Sequence, residues 1–149
     1  MTLEAAIAEA KHNRNFGLIS SAIPYAGFLG ISAEERDGLL TTRLAFQERN
    51  VGNPVLPALH GGVVGAFLET AAIFELLWSR ETVSIPKIIN LTIDYLRPAG
   101  PYDTYARGAI TKQGRRIANV AVEAWQEDAG KPIASANCHF LLPSPDQPD

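Results

Sequence analysis

The feature that most constrains this chain is the stretch from His60 to Ala72, where a His60-Gly61-Gly62 turn opens an apolar run holding one carboxylate, Glu69. Nearly every residue from about Gly62 to Trp78 is apolar or small, which predicts a helix buried on all sides. A charge inside such a helix is costly unless it is paired or put to use. The run approaches the length of a membrane span, but Glu69, Glu75 and its glycines favour a core helix. Glu69 is therefore the residue that first demands an explanation.

The segments around this helix alternate as strands do. Leu39 to Gln47 predicts one strand before the helix. Ile88 to Leu96, Tyr102 to Lys112, Arg116 to Glu127 and Pro132 to Leu142 predict four more after it, beyond Arg80-Glu81-Thr82. Gln113-Gly114-Arg115 and Asp128-Ala129-Gly130-Lys131 read as hairpin turns, and Pro98-Ala99-Gly100-Pro101 as a stop. Leu3 to His12 has the spacing of a short amphipathic helix. Ile23 to Gly30 is turn-rich and apolar and is expected to lie over the core, and Ser32 to Gly38 is expected as an exposed turn. Asn50 to Leu59, with Gly52, Pro54 and Pro57, is expected to be irregular, and the tail from Pro143 to Asp149 loose. The sum is an α+β arrangement, an antiparallel sheet wrapped around one long central helix with a short N-terminal helix, over a single domain spanning residues 1–149. One side of that helix stays uncovered and apolar, so a second copy of the chain is expected against it.

Composition narrows the function classes. A hydrophobic fraction of 46% and a charged fraction of 19% belong to a globular chain, not a disordered one. The net charge of −3, with no basic block, gives no footprint for nucleic acid or an anionic membrane. A single cysteine, Cys138, excludes an internal disulfide and cannot by itself make a zinc site, no two histidines have metal spacing, and the cysteine fits a cytoplasmic location, as does an acidic start without an apolar leader core. No metal is expected. His12, His139 and Cys138 read as ordinary helix or strand residues.

On its motifs the chain resembles the hotdog-fold thioesterases of the phenylacetyl-CoA thioesterase-like (PaaI-like) group. The resemblance rests on Gly52-Asn53-Pro54, His60-Gly61-Gly62, Glu69 nine residues after the histidine, Tyr95-Leu96-Arg97-Pro98-Ala99 and Lys112-Gln113-Gly114-Arg115, and runs from about Gly38 to Leu142. It implies hydrolysis of acyl- or aryl-CoA thioesters, with no cofactor beyond the coenzyme A carried by the substrate. The backbone N–H of Gly61 or Gly62, at the positive end of the helix, would polarise the thioester carbonyl. Glu69 would act as general base or nucleophile. His60 would orient the loop and Asn53 would contact substrate or water. Phe67 would line the acyl pocket, as would Tyr25, Phe28 and Phe74. Arg97, Lys112, Arg115 and Arg116 would hold the phosphates. Nine residues of helix span about 13 Å, too far for one helix to supply both donor and acid. The resemblance therefore implies a composite site in a homodimer or homotetramer.

Departures from the pattern leave alternatives standing. Relatives carry an Asn six residues before the histidine, where this chain has Pro54, with Asn53 one step earlier. The family's acid is most often Asp, and here it is Glu69. A Ser or Thr on the strand after the helix has no clear counterpart, Asn90 and Thr92 being the nearest polar residues. Glu69 could instead be structural, paired with Arg97. A non-catalytic acyl-thioester binder is one alternative. A hydroxyacyl-thioester dehydratase is another, disfavoured because Gly61-Gly62 follows the histidine.

Overall fold

The computed structural model describes residues 2–80 and 84–144, so the expected boundary at Glu81-Thr82 and the tail residues 145–149 lie outside the described residues. Four helices and eight strands follow one another as α1 (Leu3–Asn13), α2 (Phe16–Ser21), α3 (Pro24–Leu29), β1 (Ile31–Arg36), β2 (Leu39–Leu44), β3 (Val51–Asn53), β4 (Ala58–Leu59), α4 (Gly61–Ser79), β5 (Lys87–Tyr95), β6 (Thr104–Gln113), β7 (Ile117–Trp125) and β8 (Ala134–Leu141), with a 3-10 turn at Glu48–Asn50. Six strands form one antiparallel sheet in the order β1-β2-β6-β7-β8-β5, and β3 and β4 form a separate small hairpin.

The sheet wraps α4 because its inner face is small where the helix is large. Ala106, Ala118, Ala124, Ala134 and Ala136 recur at every second position and are buried, as are Val120, Val122 and Cys138. Against them α4 sets Phe67, Leu68, Phe74, Leu76 and Leu77, all fully buried. Period two on the strands meets period 3.6 on the helix, and each buried large side chain contributes about 1.5–3 kcal/mol. The outer face takes the alternate positions, polar residues such as Arg107, Asn119 and Glu123 together with the paired rings of Tyr105 and Trp125.

Two expectations need correction. Ser32 to Gly38 is not an exposed turn but most of β1, paired residue for residue with β2. Its turn is only Asp37-Gly38, both at positive φ (54° and 76°), the geometry that matches strand twist. The polar run Glu34-Glu35-Arg36 hides the strand in the sequence because an edge strand tolerates charge. Asn50 to Leu59 is also more ordered than expected, containing β3 and β4. Ile23 to Gly30 does lie over the core, as the short helix α3, with Ala26 and Leu29 buried and Tyr25 and Phe28 exposed and stacked on each other. The helix α2, capped by the Asn15 side chain, has no counterpart in the sequence reading.

At the far edge of the sheet, β5 is paired among the described residues only with β8, and Ile88, Ile89 and Tyr95 along it are exposed. A long apolar edge strand is a template for pairing.

Candidate active site at the N-terminus of the central helix

The hairpin of β3 and β4 delivers the chain to α4. The backbone N–H of His60 donates to the Asn50 C=O at 2.8 Å. Asn50 is itself buried, with its side-chain Nδ2 donating to the Leu29 C=O at 2.9 Å. Gly52 is what lets the two segments approach, since a Cβ there would stand 2.7 Å from His60 Cα. His60 is thus fixed before its side chain is considered.

His60 is the N-cap of α4, and its Nδ1 accepts the Gly62 N–H at 2.9 Å. The neutral ring therefore carries its proton on Nε2. Of the two glycines expected as oxyanion donors, Gly62 already has its N–H engaged. The Gly61 N–H has no partner among the described residues, and it is a free donor at the positive end of the helix. Beside it lies a cleft of about 280 Å³ lined by Ala58, Leu59, Gly61, Val64, Tyr95 and Arg97.

From Gly62 the partly exposed positions of α4 run through Ala66 and Glu69 to Ile73, a stripe of helical spacing on one face. Glu69 makes no hydrogen bond or ion pair among the described residues, and burial pushes its carboxyl above the ordinary range. It does not pair with Arg97, which donates instead to the Pro132 C=O at 2.7 Å. The nearby Cys138 thiol is pushed up to about 12 by its burial and then by the Glu69 charge. Glu75, two turns further, differs: it lies against Gly108 and accepts from Ser79 Oγ at 3.1 Å, and burial again raises its carboxyl.

Other expected site residues scatter. Asn53 is exposed and its Oδ1 accepts the Val55 N–H at 3.1 Å, an Asx turn that occupies the side chain within its own loop. Phe67 is 0% exposed and packed in the core, as is Phe74, and neither lines the cleft beside Gly61. Asn90 and Thr92 point away from the helix, since Ile93, between Thr92 and Asp94, is the residue that meets Gly65. The four cations do not form one cluster within a chain. Arg97 follows Tyr95, which pairs with Ala134, whereas Ile117 and Lys87 both pair with Leu141 at the opposite end of the sheet. Lys112, Arg115 and Arg116 lie at that opposite end, beside the β6–β7 turn. Two residues that sequence reasoning missed are Asn50, which places His60, and the hydroxyl of Tyr95, which donates to the Gly61 C=O at 2.7 Å. A buried Asn in a loop gives no sequence signal, and the Tyr95 contact exists only once β5 is laid across α4.

Comparison with known proteins agrees with this architecture. Residues 56–133 match the thioesterase superfamily. The medium/long-chain acyl-CoA thioesterase YigI of Salmonella typhimurium is 30% identical over 135 residues, covering 80% of this chain and 86% of that protein. A solved structure from Chromobacterium violaceum is 40% identical, with a TM-score of 0.75 and coverage of 95% of this chain and 99% of that one. The Bacillus halodurans protein BH2602, solved with CoA, is 25% identical, with a TM-score of 0.72 and coverage of 95% and 92%. An antiparallel sheet wrapped on a long helix, a free N–H at that helix's start and sequence matches over most of the chain converge: the chain belongs to the thioesterase superfamily and has the hotdog fold.

Proposed function

We propose that this thioester hydrolase cleaves acyl-CoA esters at a site completed by a second copy of the chain. The observation that carries the reading is the presence, on one helix, of an N–H at Gly61 and a half-buried carboxylate at Glu69 that both lack a partner among the described residues. The eight helical steps between them span about 12 Å, so the two cannot serve the same carbonyl within one helix. Residue 65 lies midway. A second α4 packed antiparallel about an axis near Gly65 would set Gly61 of each copy opposite Glu69 of the other. The bare apolar edge of β5 fits the same symmetry, since antiparallel pairing of two β5 strands extends the sheet. It would also bring the Lys112, Arg115 and Arg116 end of one copy to the side of the other where Arg97 lies.

In this reading the thioester carbonyl accepts from the Gly61 N–H, a contact that strengthens as the oxygen becomes an oxyanion. Glu69 of the other copy takes the proton of a water whose oxygen adds to the carbonyl carbon, or adds to that carbon itself. Collapse of the tetrahedral intermediate breaks the C–S bond, and the departing coenzyme A thiolate is protonated. Coenzyme A enters and leaves as part of the substrate. The YigI relatives make medium- and long-chain acyl-CoA esters the first substrates to try, with aryl-CoA esters beside them.

The test is release of free thiol from a panel of acyl- and aryl-CoA esters by wild type and Glu69→Gln. Hydrolysis predicts that the variant loses a factor of about 10²–10⁴ in kcat while its oligomer persists. Equal turnover in both proteins would sink the assignment of Glu69. A single turnover in H₂¹⁸O then separates the two chemical routes, because only attack by Glu69 itself leaves label in the protein.

A further inference from the structure

The geometry points to Tyr95 as the positioning residue that aims the Gly61 N–H at the substrate carbonyl. This inference rests on the hydrolytic reading above and adds to it a residue that does not itself touch the reacting atoms. Tyr95 is the last residue of β5, and its place is firmly set: it pairs with Ala134, and the next two amides, of Leu96 and Arg97, both donate to the Ile133 C=O at 2.8 and 3.1 Å. From this anchored strand end the side chain crosses to the helix. Its ring and hydroxyl lie 3.5–3.6 Å from the position a Gly61 Cβ would take, and the hydroxyl lies 3.8 Å from that of Gly65. The ring thus lies within van der Waals reach of the first turn of α4.

The hydroxyl then donates to the Gly61 C=O at 2.7 Å. The other end of that same peptide unit, the Gly62 N–H, is held at 2.9 Å by His60 Nδ1. The preceding unit is held as well, since the His60 C=O accepts the Val64 N–H at 3.1 Å. Three ties therefore fix two consecutive peptides and leave one group untied, the Gly61 N–H. Two adjacent glycines at a helix start are the residues least able to hold an orientation by themselves, because nothing at Cβ restricts φ and ψ and first turns fray. Of the three ties, the one from Tyr95 alone comes from outside the loop and helix, so it references the donor to the sheet. A donor aimed in advance costs no reorganisation as charge develops.

The test is Tyr95→Phe, which removes one hydroxyl and keeps the ring. Loss of one hydrogen bond that orients the donor should lower kcat about tenfold, with KM within about twofold and the oligomer and thermal midpoint unchanged. A second readout needs no turnover. In the Glu69→Gln background, a bound ester labelled with ¹³C at the thioester carbonyl should show a smaller red shift of its stretch when Tyr95 is also Phe. Unchanged kcat and an unchanged carbonyl frequency would overturn the inference, as would a raised KM with unchanged kcat, which marks the hydroxyl as a substrate-binding contact and not the group that aims the donor. A wild type inactive on every thioester would remove the hydrolytic reading itself, which is a different failure from a wild type and Tyr95→Phe of equal activity.

Discussion

Near its C-terminal end the central helix is met by residues of α1, α2 and the loop between them, whereas its first turn faces an open cleft. Around the C-terminus, the Trp78 ring packs on Phe16 with centroids 4.5 Å apart and has the Arg14 guanidinium 5.6 Å above it. Lys11 Nζ donates to the Arg80 C=O, bringing a cation to the negative pole of the helix. The positive pole receives no such treatment: the first turn of α4 has no acidic residue, although one there would add about 0.3–1 kcal/mol. A helix finished for stability alone would be capped by charge at both ends. Here one pole is neutralised by the protein and the other is not, which suits the proposed approach of the thioester oxygen to the Gly61 N–H.

The two carboxylates of α4 give the sharpest way to break that contrast. Glu69→Gln should cost about 10²–10⁴ in turnover, while Glu75→Gln, at a carboxylate already bonded to Ser79, should stay within about twofold in the same thiol-release assay. Comparable losses in both would mean that the helix, and not its open stripe, is what activity needs. At the C-terminal end the expectation reverses. Trp78→Ala should lower unfolding free energy by about 3 kcal/mol in a denaturant titration, with kcat/KM of the folded fraction unchanged.

Smaller effects come from titration. Because burial raises the Glu69 carboxyl, the protonated form is favoured in the folded state. Stability is therefore greater below that raised value and falls as pH rises through it, while the acid limb of kcat/KM should lie above the ordinary carboxylate range. Glu69→Gln should accordingly melt higher than wild type near neutrality even as it loses turnover, and a lower melting point would show that the carboxylate is structural. Asp103 has the opposite sign. Its Oδ1 accepts the Phe46 N–H at 2.7 Å and its Oδ2 accepts from Arg43 Nη2 at 2.7 Å, which hold its carboxyl below the ordinary range. Its contribution is present above the unfolded value near 4 and is lost as pH falls through the lower folded one. Asp103→Asn should cost about 1 kcal/mol near neutrality, and the difference from wild type should vanish in acid melts.

Much of this was legible in the sequence, for identifiable reasons. The apolar run from Gly62 to Trp78 and the alternation after Ile88 reflect burial, which is written into residue types, and they located α4 and β5 to β8 within one or two residues. The strand β1 was hidden because its visible face is charged, and α2 because six residues carry too little period. At the site, Glu69 stood out as a charge among apolar residues, and His60-Gly61-Gly62 as a helix start. Whether Gly61 or Gly62 holds the free N–H was not legible, because that depends on which way the His60 ring turns. Nor was the separation of Arg97 from Lys112, Arg115 and Arg116, since sheet register, and not residue type, places them at opposite ends.

Cys138 has a practical consequence for every experiment proposed above. It is fully buried on β8, and its thiol is held up to about 12, so at working pH it is both inaccessible and protonated. A disulfide reagent added to the folded protein will therefore register the coenzyme A released and not the enzyme. The same residue becomes an internal alarm: one equivalent of slow, substrate-independent colour per chain would signal that the strand behind Glu69 has come away from the helix.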